Sequence, residues 1–119
     1  MYKLDDSINL NFLIDKELLQ ICISLYQLVF NFTENIAIST ECTLRLIDIS
    51  GSPFEIASDD PCSSSKLLSL LGNTITNIYF HDKDELTLTF SSGTKLVIID
   101  SNDNFESFII ASPSQEIIV

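Results

Sequence analysis

The stretch Glu85–Ile99, ELTLTFSSGTKLVII, decides the fold. Leu86, Leu88 and Phe90 alternate with Glu85, Thr87 and Thr89, the period of two that places one side of a strand in a core and the other in water. Ser91, Ser92 and Gly93 interrupt the alternation, and Gly93 tolerates the positive φ that closes a hairpin. The β-branched run Thr94 to Ile99 then resumes it. Working outward, the same alternation recurs in Leu28, Phe30 and Phe32 and in Ile21 and Ile23. Further strand-like runs lie at Ile36 to Ile49, Thr74 to Phe80, Phe105 to Ala111 and Glu116 to Val119, each bounded by Asn, Asp, Ser, Gly or Pro.

One helix is signalled over Ser64 to Leu71. Ser63 to Ser65 offer capping hydroxyls, Leu67, Leu68, Leu70 and Leu71 follow at helical spacing, and Gly72 supplies a left-handed end. Leu67, Leu68 and Leu71 are the residues expected to pack onto a sheet. Ser7 to Ile14 fits either a helical turn or a strand, with a lean to the turn. The breaker-rich connection Ser50 to Ser65, with Gly51, Pro53 and Pro61, divides the chain near its middle.

The two sides of that division read alike. Leu18 falls on Ile75 (75 − 18 = 57), Ile21 on Ile78 and Ile23 on Phe80; with one inserted residue Leu28 falls on Leu86, Phe30 on Leu88 and Phe32 on Phe90. Two further inserted residues bring Ile36 and Ile38 onto Leu96 and Ile98. The expected architecture is α+β, mostly antiparallel sheet, in one domain over residues 1–119. Two similar halves, about 7–49 and 64–111, each feed a helical turn into a three-stranded meander, so that two apolar sheet faces can cover each other.

Composition narrows the function. The chain has 119 residues, 45% of them apolar, and carries 6 − 17 = −11 net charge. Apolar content of that order builds a core, whereas disorder needs low hydrophobicity. A surface so poor in cations argues against direct nucleic-acid binding. No apolar run approaches a membrane helix, and Asp5 and Asp6 behind Lys3 do not make a signal peptide; a cytoplasmic location and no membrane partner are expected. Cys22, Cys42 and Cys62 match no close-pair metal pattern and are read as thiols, with Cys22 and Cys42 buried.

Catalytic chemistry finds little purchase. His81 is the single histidine and has no nucleophile motif beside it. Asp100, Asn102 and Asn104 open a calcium-loop spacing, but Phe105 stands where that loop needs glycine and Ala111 where it needs a bidentate glutamate. No enzyme activity, cofactor or metal is expected. The carboxylates are distinctive for how few cations accompany them. From His81 to Val119 there are seven acids and only Lys83 and Lys95. Asp82, Asp84 and Glu85 in one turn, and Asp100, Asp103 and Glu106 in another, would form an acidic rim if both turns meet at one sheet edge, with Phe105 and Phe108 as apolar anchors. Such a rim speeds encounter with a cationic protein.

The second half resembles a family of small bacterial domains through Gly72, Ile75, Ile78, Leu86, Leu88, Phe90, Ser91, Gly93, Thr94, Leu96 and Ile98, followed by Phe105, Glu106, Ser107 and Phe108. The family usually has Tyr and Trp where this chain has Phe105 and Phe108. The first half resembles it through Leu13, Ile21, Cys22, Ile23, Phe30, Phe32 and Ile36. Such acidic domains are similar to the immunity proteins of polymorphic toxin and contact-dependent growth inhibition systems. The resemblance implies a monomer that binds and neutralises a cognate basic toxin domain, an RNase or DNase. The other reading is a structural or regulatory domain that pairs through sheet edges such as Glu116 to Val119.

Overall fold

A computed structural model describes residues 10–25, 27–41, 43–56, 61–81, 85–99, 108–112 and 115–118. Among the described residues ten strands and one short α-helix follow in chain order: β1 (Leu18–Ile23), β2 (Leu28–Phe32), β3 (Ile36–Thr40), β4 (Thr43–Ile47), β5 (Pro53–Ile56), α1 (Pro61–Ser64), β6 (Ile75–His81), β7 (Glu85–Phe90), β8 (Lys95–Ile99), β9 (Phe108–Ser112) and β10 (Gln115–Ile118). Short 3-10 helices cover Asn11–Leu13, Thr33–Asn35 and Ser65–Leu70. The protein is therefore mostly antiparallel sheet with little helix.

The strands form two five-stranded sheets, ordered β1-β2-β3-β9-β10 and β5-β4-β8-β7-β6, with every pairing antiparallel. The alternation sets which face of each strand is inside. Leu86, Leu88 and Phe90 are buried, as are Leu28, Phe30, Phe32, Ile36 and Ile38, while Thr87, Thr89, Val29 and Asn31 on the opposite faces are half-exposed. One cluster joins the inner faces of both sheets with Leu10, Leu13, Leu67 and Leu70 from the 3-10 helices.

Each sheet is a three-stranded meander extended by a hairpin from elsewhere in the chain. β9 and β10 add to β3, and β4 and β5 add to β8. The run Ile36 to Ile49 is thus two strands in different sheets, because the chain crosses between Thr40 and Thr43. A single alternating run hides such a crossing, since both of its parts bury one face. The connection Ser50 to Ser65 likewise holds a strand, β5, which Pro53 opens at a sheet edge where it forfeits no ladder bond.

The sheets meet at an isolated antiparallel bridge between Glu17 and Thr74. Its surroundings repeat at the 57-residue shift. Leu18 N–H donates to Asn73 O at 2.9 Å and Ile75 N–H to Lys16 O at 3.0 Å; Gly72 N–H donates to Leu18 O at 2.9 Å and Asp15 N–H to Ile75 O at 2.7 Å. β1 and β6 carry matching register shifts, between Leu18 and Gln20 and between Ile75 and Asn77. Asp15 and Gly72 both take positive φ, as do Asn35 and Gly93.

The helix expected over Ser64 to Leu71 is corrected in kind and in face. It is one α-helical turn, Pro61–Ser64, continued by the 3-10 helix Ser65–Leu70. A 3-10 helix repeats every three residues, so Ser64, Leu67 and Leu70 are buried and Leu68 and Leu71 are 47% and 42% exposed. The segment Ser7 to Ile14, of which residues 10–14 are described, forms a 3-10 helix that buries Leu13. Cys22 and Cys62 are thiols, but Cys22 is half-buried and Cys62 exposed; Cys42 lies outside the described residues.

Candidate functional site

Strand register decides whether the two acidic turns meet. His81 pairs with Glu85, and Glu85 pairs in turn with Ile99. The connections 82–84 and 100–107 therefore start from adjacent positions at one end of the second sheet. Asp82, Asp84, Asp100, Asp103, Phe105 and Glu106 lie outside the described residues. Glu85 opens β7 with its side chain half-buried.

The same end gathers residues from the first sheet. Ile99 pairs with Thr43 at the start of β4, and Thr40, three residues earlier, pairs with both Leu28 and Phe108. Three residues of chain span at most about 11 Å, so the row Ile23, Leu28, Thr40, Phe108 and the row His81, Glu85, Ile99, Thr43 approach each other at Thr40 and Thr43. Register thus brings Glu85 and Phe108 to one end of the molecule although they belong to different sheets.

Two features of this end escape a reading of the sequence. Glu41, on the crossing between the sheets, is exposed here, and nothing in the alternating run marks it as a crossing. The β1–β2 hairpin also ends here, with Ile23 and Leu25 exposed at 36% and 56%. Ser24 N–H donates to Gln27 O at 2.9 Å beyond the paired residues Ile23 and Leu28.

Among the described residues the cations lie elsewhere. Lys16 Nζ is 2.9 Å from Glu34 Oε2 beside the Glu17–Thr74 bridge, and Arg45 Nε donates to Glu55 Oε1 at 2.9 Å in mid-sheet. Lys66 Nζ sits 5.4 Å from the centre of the Phe54 ring, and Lys95 pairs with Thr89 and Ile47 at the far end of β8. Glu41 and Glu85 thus have no described cation beside them in the strand rows.

A groove of about 500 Å³ runs between the β4–β5 hairpin and the 3-10 helix Ser65–Leu70, floored by Leu46 and walled by Phe54 and Pro53. Asp48 and Lys66 stand on it with opposite charges, so it has no excess of either sign. The Asp48 carboxyl is held below the usual range, first by the Ser50 hydroxyl at 2.6 Å and then by the Ser52 N–H at 3.0 Å. These bonds order the loop.

Among the described residues no group of three or more His, Cys, Asp or Glu could hold a metal ion, and no helix is long and apolar enough to cross a membrane. The fold defines an antiparallel two-sheet protein whose sheets exchange hairpins and in which, among the described residues, no cation shares the strand rows of Glu41 and Glu85. The chain belongs to DUF6188, a family of unknown function, over residues 10–119. No curated protein and no solved structure matches it.

Proposed function

We propose that this chain is an immunity protein that binds and neutralises a basic toxin domain, an RNase or DNase, through the acidic end of its sheets. One observation carries the reading: His81 and Ile99 both pair with Glu85, so two acid-rich connections leave from neighbouring strands. The chain's charge of −11 and the absence of described cations around Glu41 and Glu85 support it. A surface of this kind imitates the polyanionic substrate of a nuclease and steers a basic partner toward itself. Asp82, Asp84, Glu85, Asp100, Asp103 and Glu106 supply the charge, and Phe105 and Phe108 the apolar contacts. The free protein is a cytoplasmic monomer that acts without cofactor or metal and does no chemistry of its own.

We further infer that the two meanders descend from one duplicated unit. The matched hydrogen bonds around Glu17 and Thr74, and the matched register shifts of β1 and β6, support that descent.

The test is co-expression with the polypeptide encoded immediately upstream. The wild-type chain is expected to co-purify with it and to protect cells from it. Replacing the six acids by their amides should abolish protection at unchanged thermal midpoint. Full protection by that variant would remove the acidic site from the account.

A further inference from the structure

β1 and β6 are sheet edges at equivalent positions of the 57-residue shift, so each is a control for the other. Leu19, Gln20 and Ile21 of β1 correspond to Thr76, Asn77 and Ile78 of β6. On β6 the outward Ile78 N–H donates to Asn77 Oδ1 at 2.9 Å, which occupies the edge donor. On β1 the matching amide is drawn away, because Gln20 Oε1 accepts from Asn31 Nδ2 at 2.9 Å. Ser24 N–H donates to Gln27 O and bonding alternates along an antiparallel ladder, so the peptide groups of Cys22 face β2 and those of Ile21 and Ile23 face outward. Among the described residues no backbone bond engages these outward groups. The other two edges are blunted: β5 opens with Pro53 and contains Glu55, and β10 is four residues long with Glu116. β1, LLQICI, has six residues without charge or proline.

Exposed leucines flank this edge. Leu19 is 56% exposed, and the Gly72 N–H bond to Leu18 O at 2.9 Å brings the end of the 3-10 helix, with exposed Leu68 and Leu71, against the start of β1. The equivalents of Leu19 and Leu68 are Thr76 and Asn11, so the fold itself does not demand leucine there. Residues 18–23 and 62–73 together hold one charged residue, Lys66, in a chain that is 19% charged. We propose that β1 pairs edge to edge with β1 of a second copy of this chain. An antiparallel pair centred on Cys22 sets Ile21 of each copy opposite Ile23 of the other, and its four backbone bonds close a two-fold contact. Charge favours the same occupant. Two chains of −11 can meet on this strip without opposing carboxylates, and antiparallel alignment keeps apart the Ile23 ends, which lie toward the acidic end. One strand pair is a small interface, of the class below about 1,200 Å² that dissociates readily, so the dilute chain is a monomer. The pairing does not depend on what the acidic end binds.

Sedimentation equilibrium of the full chain at rising protein concentration, in low and high salt, tests the pairing. Self-association should strengthen as salt screens the net charge, the opposite of the sign expected for a cationic partner. Leu19→Glu and Leu68→Glu, both at exposed positions, should each weaken it about tenfold or more at unchanged thermal midpoint. Ile49→Glu adds the same charge at a position that is exposed and away from β1, and should leave it within about twofold of wild type. In a chain carrying Cys42→Ser and Cys62→Ser, a short bismaleimide should join Cys22 to Cys22 of the second copy. A chain that stays monomeric at every concentration and salt overturns the proposal. So does self-association that both β1-side variants leave intact, or that yields no Cys22 cross-link. Loss of binding to the polypeptide encoded immediately upstream in Leu19→Glu, with self-association unchanged, would assign the edge to that foreign chain and overturn the second copy.

Discussion

Gly93 shows how single residues hold the hairpins. Its N–H donates to Phe90 O at 2.8 Å while Phe90 N–H donates to Thr94 O at 2.9 Å, a tight turn followed by a left-handed residue. At φ +92°, a Cβ at Gly93 would also stand 3.3 Å from Ile49. Ile49 is 81% exposed and can move aside, so the backbone term dominates, and Gly93→Ala should cost about 1 to 2 kcal/mol in urea denaturation. Asp48 provides a second test. Its carboxyl is depressed in the folded chain, so its contribution to stability is complete above the ordinary carboxylate pKa and fades as pH falls through the lowered one. A carboxyl NMR titration should find Asp48 below the usual range in the wild type and nearer to it in Ser50→Ala; the same value in both would show that the Ser50 hydroxyl does not set it. Gly93 and Asn35 announce their conformations in the sequence. Glu34, at φ 63°, does not, because a glutamate enters that region only when the surrounding turn imposes it, and Asp15, at φ 72°, is of a type that tolerates it but sits in no recognisable turn sequence.

At the scale of elements, the alternating runs identify the strands directly, since burial of every second residue is what a sheet face demands. The segment before β6 was less legible. Paired leucines suit an α-helix and a 3-10 helix equally, and only the period separates Leu70 from Leu71. Leu70→Ala should therefore cost about 2 to 5 kcal/mol, whereas Leu71→Ala, at an exposed position, should stay within about 1 kcal/mol. Denaturant midpoints that reverse this order would return the segment to α-helical packing. Partner choice was also hidden. β3 and β4 are separated by two residues yet join different sheets, and an alternating sequence carries no record of which edge its strand will find. The neighbouring strand ends at His81, Glu85 and Ile99 follow from pairing of the same kind, which no local pattern reveals.

For the whole molecule, the exchange of hairpins makes each half of the chain insufficient. Residues before the 57–60 connection supply three strands to one sheet and two to the other, and residues after it do the reverse. Fragments cut at that connection should be unfolded alone and should recover sheet structure on mixing, as read by circular dichroism; an independently folded half would contradict the shared core. The proposed binding surface draws on strands of the second sheet and on the connection to the first, so the binding account depends on the intact pair of sheets. Its central claim is electrostatic. Charges on an exposed surface are screened beyond about 8 Å near physiological ionic strength, and steered association consequently slows as salt rises. The most direct measurement is the stopped-flow association rate with the upstream-encoded polypeptide over a series of salt concentrations, for the wild type and the six-acid amide variant. The account predicts a steep fall with salt for the wild type and a slower, nearly salt-independent rate for the variant. Identical rates and identical salt slopes for the two chains would contradict it.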